Sequence, residues 1–366
     1  MRPLRVLAAG VGVTVAMLGA VGIGVARYAV LGGPVRFLRV MGRPAPDVIR
    51  LPRIDASVQP ATFGLEAVDG SLTVVGAAVA VAAGSVDRRV EPAATLKAGD
   101  RVRLVGNVFD RESALVRAAS QRSWTASAVA HRVWDIESEG DDGGLRFVHV
   151  HGLGASPAAT LRSVDAVRQL GYPSTVVSLD GNSDMFARVR GIRASAAERV
   201  TAAVDHARGR GARRVILVGW SFGGELAVQA AAGRDDVVGL ILISATTDLL
   251  ATIRAEAKAR HLPSIVAELA VTVLTTPGLS RLACADRPLE HRGQQAAGSL
   301  RMLVMHSRGD KTLSREAIAM HGFGDSAAMT EFPRAPHTME WNADPLFFEG
   351  SVEGWIDGSL RLHADG

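Results

Sequence analysis

The sequence contains almost no cysteine and very little lysine. Its single cysteine, Cys284, excludes an intramolecular disulfide and any cysteine-based metal cage. Nothing in Leu282-Ala283-Cys284-Ala285-Asp286 activates that thiol, so it reads as a small hydrophobe. Lysine occurs only at Lys97, Lys258 and Lys311, and scattered arginines interleaved with carboxylates leave a net charge of +4. Aromatic residues make up only 5% of the chain. A nucleic-acid surface requires a basic stripe with interleaved aromatics, so no nucleic-acid partner is expected. No H-E-x-x-H or similar ligand spacing occurs, and no metal or organic cofactor is implied. Long charge runs, Pro/Ser tracts and fixed-period repeats are also missing, which argues against a disordered chain or a solenoid.

Apolar residues are plentiful, at 48% of the chain, and the 39 glycines allow many tight turns around a sizeable core. The first apolar run is Val6 to Ala26, which carries no charge. It just meets the ~20 residues needed to cross a bilayer as a helix. Arg2 and Arg5 ahead of it also suit a secretory signal peptide, but the apolar core is longer than such peptides use. Residues 1–40 are therefore expected to be an N-terminal transmembrane helix or signal segment. The flanking Arg27, Arg36, Arg39 and Arg43 oppose a simple exported topology. An extracytoplasmic placement of the chain that follows is still the expected arrangement.

Met41 to Arg53 holds three prolines and reads as an extended linker. From Ala61 to about Val129, short apolar runs such as Leu72–Val75 and Arg101–Val105 are punctuated by Asp-Gly and Gly-Asp turns. That pattern predicts a small β-rich region within residues 41–126. From residue 127 to 366 the rhythm becomes strand, glycine turn, helix. Strands are predicted at Leu145–Val150, Ser174–Ser178, Arg214–Val218, Val237–Ile243, Met302–His306 and Met329–Phe332. Helices are predicted at Ala158–Gln169, Ala194–Arg208, Phe222–Ala232, Ser314–Met320 and Pro345–Ile356. Short apolar strands alternating with helices describe an α/β fold, a mostly parallel sheet covered on both faces. The alternation lapses at about 250–299, where Ile253–Arg260 and Ser264–Leu274 suggest a helical cap.

Gly219-Trp220-Ser221-Phe222-Gly223 sits between one of these strands and its helix, and is the only G-x-S-x-G in the chain. A nucleophile on so sharp a turn has a strained backbone, and the residues two before and two after it must be small. Gly219 and Gly223 meet that need. A serine hydroxyl needs a base to take its proton. His337 lies in the proline-bounded loop after the last predicted strand, at the carboxyl edge where parallel sheets place their sites. His306 and His151 also lie near this rim, whereas His149 reads as a packed histidine within a strand. The base needs a carboxylate to orient it. Asp310 follows the strand Met302–His306 and suits the chain order serine, acid, histidine; Asp248 is its rival.

The set HGLGAS (His151–Ser156), GWSFG (Gly219–Gly223), HSRGDKTL (His306–Leu313) and PHTMEWN (Pro336–Asn342) resembles the α/β-hydrolase superfamily. More closely it is similar to membrane-anchored or exported actinobacterial α/β-hydrolases of largely uncharacterised activity. The resemblance covers about Ser127 to Gly358. It implies that the backbone N–H groups of Leu153 and Phe222 form the oxyanion hole, and that Ser221, Asp310 and His337 form a triad cleaving a small-molecule or lipid-like ester. The chain departs from these relatives at Ser178–Asp184, where they often carry a Tyr-Arg-Asn-Asp-like stretch, so their substrate preference does not transfer. The same triad would serve an acyltransferase, thioesterase or peptidase, and a non-catalytic membrane-tethered binding module is the alternative of another class.

Overall fold

The computed structural model describes residues 17–29, 37–60, 62–126, 128–139, 143–189, 191, 195–283, 285, 288–289, 300–313 and 327–361. The predicted helix Ser314–Met320, as well as Cys284, His363 and residues 1–16, lie outside these.

Helix α1 spans residues 17–29. A seven-stranded antiparallel sheet follows, built from β1 (Leu38–Arg39), β2 (Gly42–Ala45), β3 (Val48–Pro52), β4 (Phe63–Ala67), β5 (Leu72–Val81), β6 (Ser85–Val90) and β7 (Arg101–Val105). Its spatial order is β1-β7-β4-β5-β6-β3-β2. Alternating residues of these strands, among them Ile49, Leu51, Phe63, Leu65, Val86 and Val102, form its core. Met41 to Arg53 is thus not the expected linker but a hairpin, β2 against β3.

After helix α2 (Ala114–Ala118) comes the second sheet: β8 (Ser120–Ala126), β9 (Val129–Ile136), β10 (Leu145–Val150), β11 (Ser174–Val177), β12 (Arg214–Trp220), β13 (Val237–Ile243), β14 (Arg301–Ser307) and β15 (Ala327–Phe332). Its order is β15-β14-β13-β12-β10-β11-β9-β8, with β9 alone running against the others. Residues 120–126, read from the sequence as part of the β-rich region, pair with β9 in this sheet.

The helices are α3 (Leu161–Gln169), α4 (Ala196–Gly209), α5 (Phe222–Ala231), α6 (Leu249–Ala259), α7 (Ser264–Thr275), α8 (Glu340–Ala343) and α9 (Pro345–Arg361). The sheet is apolar on both faces, as the period of two along a strand requires. On β12, Val215 and Leu217 pack with α4 and α5, while Ile216, Val218 and Trp220 pack with α3 and α9. Helices α6 and α7 occupy the predicted cap, on the same face as α4 and α5.

Among the described residues no helix is long and apolar enough to cross a membrane. The described part of the apolar run lies against the core beside the eight-stranded sheet. Ala26 is fully buried in the core that includes α7, and a Cβ on Gly22 would stand 2.7 Å from that of Leu269. Of the expected spanning helix over Val6–Ala26, residues 17–26 are described, and among them Gly22 and Ala26 are buried against the protein.

The loop after β15 and the short helix α8 help to tie the two sheets together. Met339, from the loop between β15 and α8, is 4% exposed within the core of the seven-stranded sheet. Asn342 Nδ2 donates to the carbonyls of Thr62 (2.7 Å) and Gly106 (2.9 Å), and Gln59 Nε2 donates to that of Arg334 (3.2 Å).

Candidate active site

Ser221 sits between β12 and α5 with φ +51° and ψ −124°. Few L-residues occupy that region, and such strain persists only when the surroundings impose it. Here Ser221 N–H donates to Ile243 O (2.9 Å), while Ser221 O accepts from Gly224 N–H (2.9 Å) and Thr246 N–H (3.2 Å). The flanking glycines have the steric cause read from the spacing. A Cβ on Gly219 would lie 2.5 Å from Gly224 Cα, and one on Gly223 would collide with the carbonyl oxygens of Val150 and His151.

The loop after β15 brings His337 to the serine. Its Nε2 is 2.8 Å from Ser221 Oγ and its Nδ1 is 2.7 Å from Asp310 Oδ2. Asp310, in the loop after β14, has its other oxygen held by Thr312 N–H (2.7 Å) and Leu313 N–H (3.0 Å). Burial opposes the charge on Asp310, but the charge and hydrogen bond of His337 and these two amides together hold its carboxyl below the usual range. Burial likewise disfavours imidazolium at His337, and Asp310 outweighs it, so the ring is raised above its ordinary value. With Asp310 on Nδ1, Nε2 faces the serine hydroxyl as an acceptor, the tautomer needed to take its proton.

The rivals fall elsewhere. Asp248 caps α6, accepting from Ala251 N–H (2.9 Å). His149 is held between Ser163 Oγ (3.0 Å) and Ser174 Oγ (3.1 Å), as a packed histidine should be. His151 is buried, with Nδ1 against Gly152 O (3.0 Å), and burial pushes it down to about 4. Leu153 follows Gly152, whose added Cβ would stand 3.0 Å from Ser221 Cβ, so this loop passes beside the serine. Among the described residues neither Leu153 N–H nor Phe222 N–H finds an acceptor, and Phe222 opens α5 with the positive end of its dipole.

Sequence reasoning missed a layer behind the triad. Ser244, the residue after β13, lies within hydrogen-bond reach of Asp310 Oδ2 (3.2 Å) and of Glu340, and accepts from Thr338 N–H (3.2 Å). Arg162 is buried and stacks over Trp220, 4.3 Å from the ring. Its Nη1 donates to Thr338 O (2.7 Å) and Asn342 Oδ1 (2.5 Å), fixing the histidine loop from below. The one local signal was Glu340 itself, a carboxylate between Met339 and Trp341, three residues past His337.

An apolar cavity of about 610 Å³ opens at the serine, lined by Ser221, Phe222, Leu249, Ile253 and by Val21 and Val25 of α1. The size falls in the usual range for small-molecule sites. Among the described residues no three metal-ligating side chains cluster.

The strand order with one antiparallel strand, the strained serine between strand and helix, and the histidine loop after the last strand define the α/β-hydrolase fold. No family model matches the chain, and no curated protein matches it in sequence. Solved structures do resemble it. An esterase from Pyrococcus furiosus is 12% identical over 66% of this chain and 91% of its own, with a TM-score of 0.48. An esterase from a Rhodococcus species is 22% identical over 66% and 99%, with a TM-score of 0.46. A proline iminopeptidase-related protein from Thermus thermophilus is 16% identical over 66% and 99%, with a TM-score of 0.48.

Proposed function

We propose that this protein is a serine hydrolase that cleaves carboxylic esters with an apolar acyl chain. The observation that carries the reading is His337 placed between Ser221 and Asp310 at 2.8 and 2.7 Å. Ser221 Oγ attacks the ester carbonyl while His337 Nε2 takes its proton, and negative charge gathers on the carbonyl oxygen. The N–H groups of Leu153 and Phe222 receive that charge; one such donor is typically worth about 100-fold or more in rate. The tetrahedral adduct collapses as the carbon–alkoxy bond breaks, and His337 hands the proton to the departing alcohol. Water, deprotonated by the same nitrogen, then attacks the acyl-serine, and the acid leaves with Ser221 restored. The acyl chain occupies the apolar cavity, where α1 and α6 keep it from water.

The test is labelling of the full chain with a fluorophosphonate probe. Wild type labels, Ser221→Ala and His337→Ala do not, and circular dichroism shows all three folded. A folded wild type that never labels removes the reading. Product analysis with alcohol, thiol and amine acceptors present separates hydrolysis from acyl transfer.

A further inference from the structure

A second cavity, of about 430 Å³, lies on the other side of His337. Leu153 and His337 line both cavities, but Ser221 lines only the apolar one. The second is the more polar of the two, and much of its wall comes from the seven-stranded sheet and the segment leaving it, including Glu66, Arg103 and Arg111. The loop after β11 closes it with Asp184 and Arg188.

We propose that this cavity is the alcohol side of the substrate site, and that the seven-stranded sheet reads an anion-bearing alcohol esterified to an apolar acyl chain. The inference rests on the esterase reading above. It follows first from the direction of the reaction. The acyl chain is bonded to the carbon that Ser221 attacks, and the alcohol oxygen must meet the proton on His337. The two halves of the ester therefore extend from opposite sides of that carbon. The cavity that His337 lines without Ser221 is the one left for the alcohol.

Second, the lining suits charge and repels hydrocarbon. Arg111 pairs with Asp184 (2.8 Å) and Arg103 with Glu66. Placing an acyl chain here would strip water from these groups with no compensating bond. The guanidinium of Arg162 is committed to Thr338, Asn342 and Ala159. Asp69 is committed to Ser71. Arg188 pairs with no carboxylate among the described residues, which leaves the lining with a cation in excess. Arg103 Nε is buried and, among the described residues, has no acceptor. An unmatched cation and an unmet donor in one cavity call for an anionic ligand with acceptor oxygens, such as a phosphate or carboxylate on a short alcohol.

The test compares three octanoyl esters on the full-length protein: methyl octanoate, 1-octanoylglycerol and 1-octanoylglycerol 3-phosphate. The phosphate ester is expected to have kcat/KM about tenfold or more above the glycerol ester, from one charge-assisted contact. Arg188→Gln abolishes that preference, lowering kcat/KM for the phosphate ester towards that of the glycerol ester. A wild type with no preference, or a preference that survives in Arg188→Gln, overturns the proposal while esterase activity stands. Absence of hydrolysis of all three by the folded protein overturns the esterase reading and this one with it.

Discussion

Glu340 and Asp310 converge on one hydroxyl, that of Ser244. That hydroxyl has one proton and already accepts from Thr338 N–H. Two carboxylates cannot both receive it. The bonding balances when Glu340 is protonated: its O–H donates to Ser244 Oγ, and Ser244 O–H donates to Asp310 Oδ2. Burial pushes Glu340 up to about 7, against the pull of the Ser244 bond and with the help of the Asp310 charge.

Glu340 should therefore lower stability as pH rises. Its folded pKa of about 7 lies above the ordinary value of 4.5. Between those values the folded chain holds a proton that the unfolded chain has lost, so stability falls with pH across this window. Glu340→Gln keeps a neutral donor and loses that dependence. The gap in Tm between wild type and variant should narrow from pH 4.5 to 7; a constant gap would place the proton elsewhere.

Activity should follow His337 in the opposite sense. The ring works as a neutral base, and its pKa is raised above 6.5. The acid limb of kcat/KM should thus have its midpoint above 6.5. Asp310→Asn should lower kcat about 10⁴-fold, because the wrong tautomer faces Ser221. Asp248→Asn keeps a side-chain oxygen to cap α6, so it should cost at most about 1 kcal/mol of stability and leave kcat alone. A large loss of kcat in Asp248→Asn would reverse the assignment of the acid.

Gly223→Ala and Gly209→Ala should part company. At Gly223 the methyl meets backbone oxygens that cannot withdraw, so activity should vanish and stability fall by about 1–3 kcal/mol. Gly209 ends α4 with nothing within 4 Å of an added Cβ, and alanine there should stabilise by about 0.5–1 kcal/mol. Urea melts of the two variants decide it.

Asn342→Ala should weaken both halves of the molecule. It leaves the carbonyls of Thr62 and Gly106 and an Arg162 N–H without their partner. Each buried group so stranded costs about 1–3 kcal/mol, so a loss of about 3 kcal/mol or more is expected. kcat should drop as well, since Arg162 also holds the backbone of Thr338. Stability lost with kcat intact would show that the loop is held by other means.

The legible parts of this chain were those set by neighbours in sequence. Gly219, Ser221 and Gly223 could be read because the sterics of one turn dictate them. His337 and Asp310 could be read because strand order places their loops on one edge. Ser244, Arg162 and Glu340 could not, since their roles arise only when loops from β13, α3 and α8 meet. The prolines near Pro44 misled because proline favours extended chain, which a linker and an edge strand share. Here Pro44 lies on β2, the last strand of its sheet, where a missing N–H goes unnoticed. The apolar run at the N-terminus is ambiguous for a different reason. Hydropathy does not tell a helix that packs on α7 from one that enters lipid, and the small residues Gly22 and Ala26 suit the close packing seen.

Met339 stands two residues beyond His337 and is embedded in the core of the other sheet. His337 is thereby suspended from a structure that contributes no atom to the Ser221–His337–Asp310 array. Heat that melts the seven-stranded sheet must release this side chain and let the imidazole drift from the serine. Calorimetry should accordingly register one endotherm for both sheets, and inactivation should track it from onset to completion.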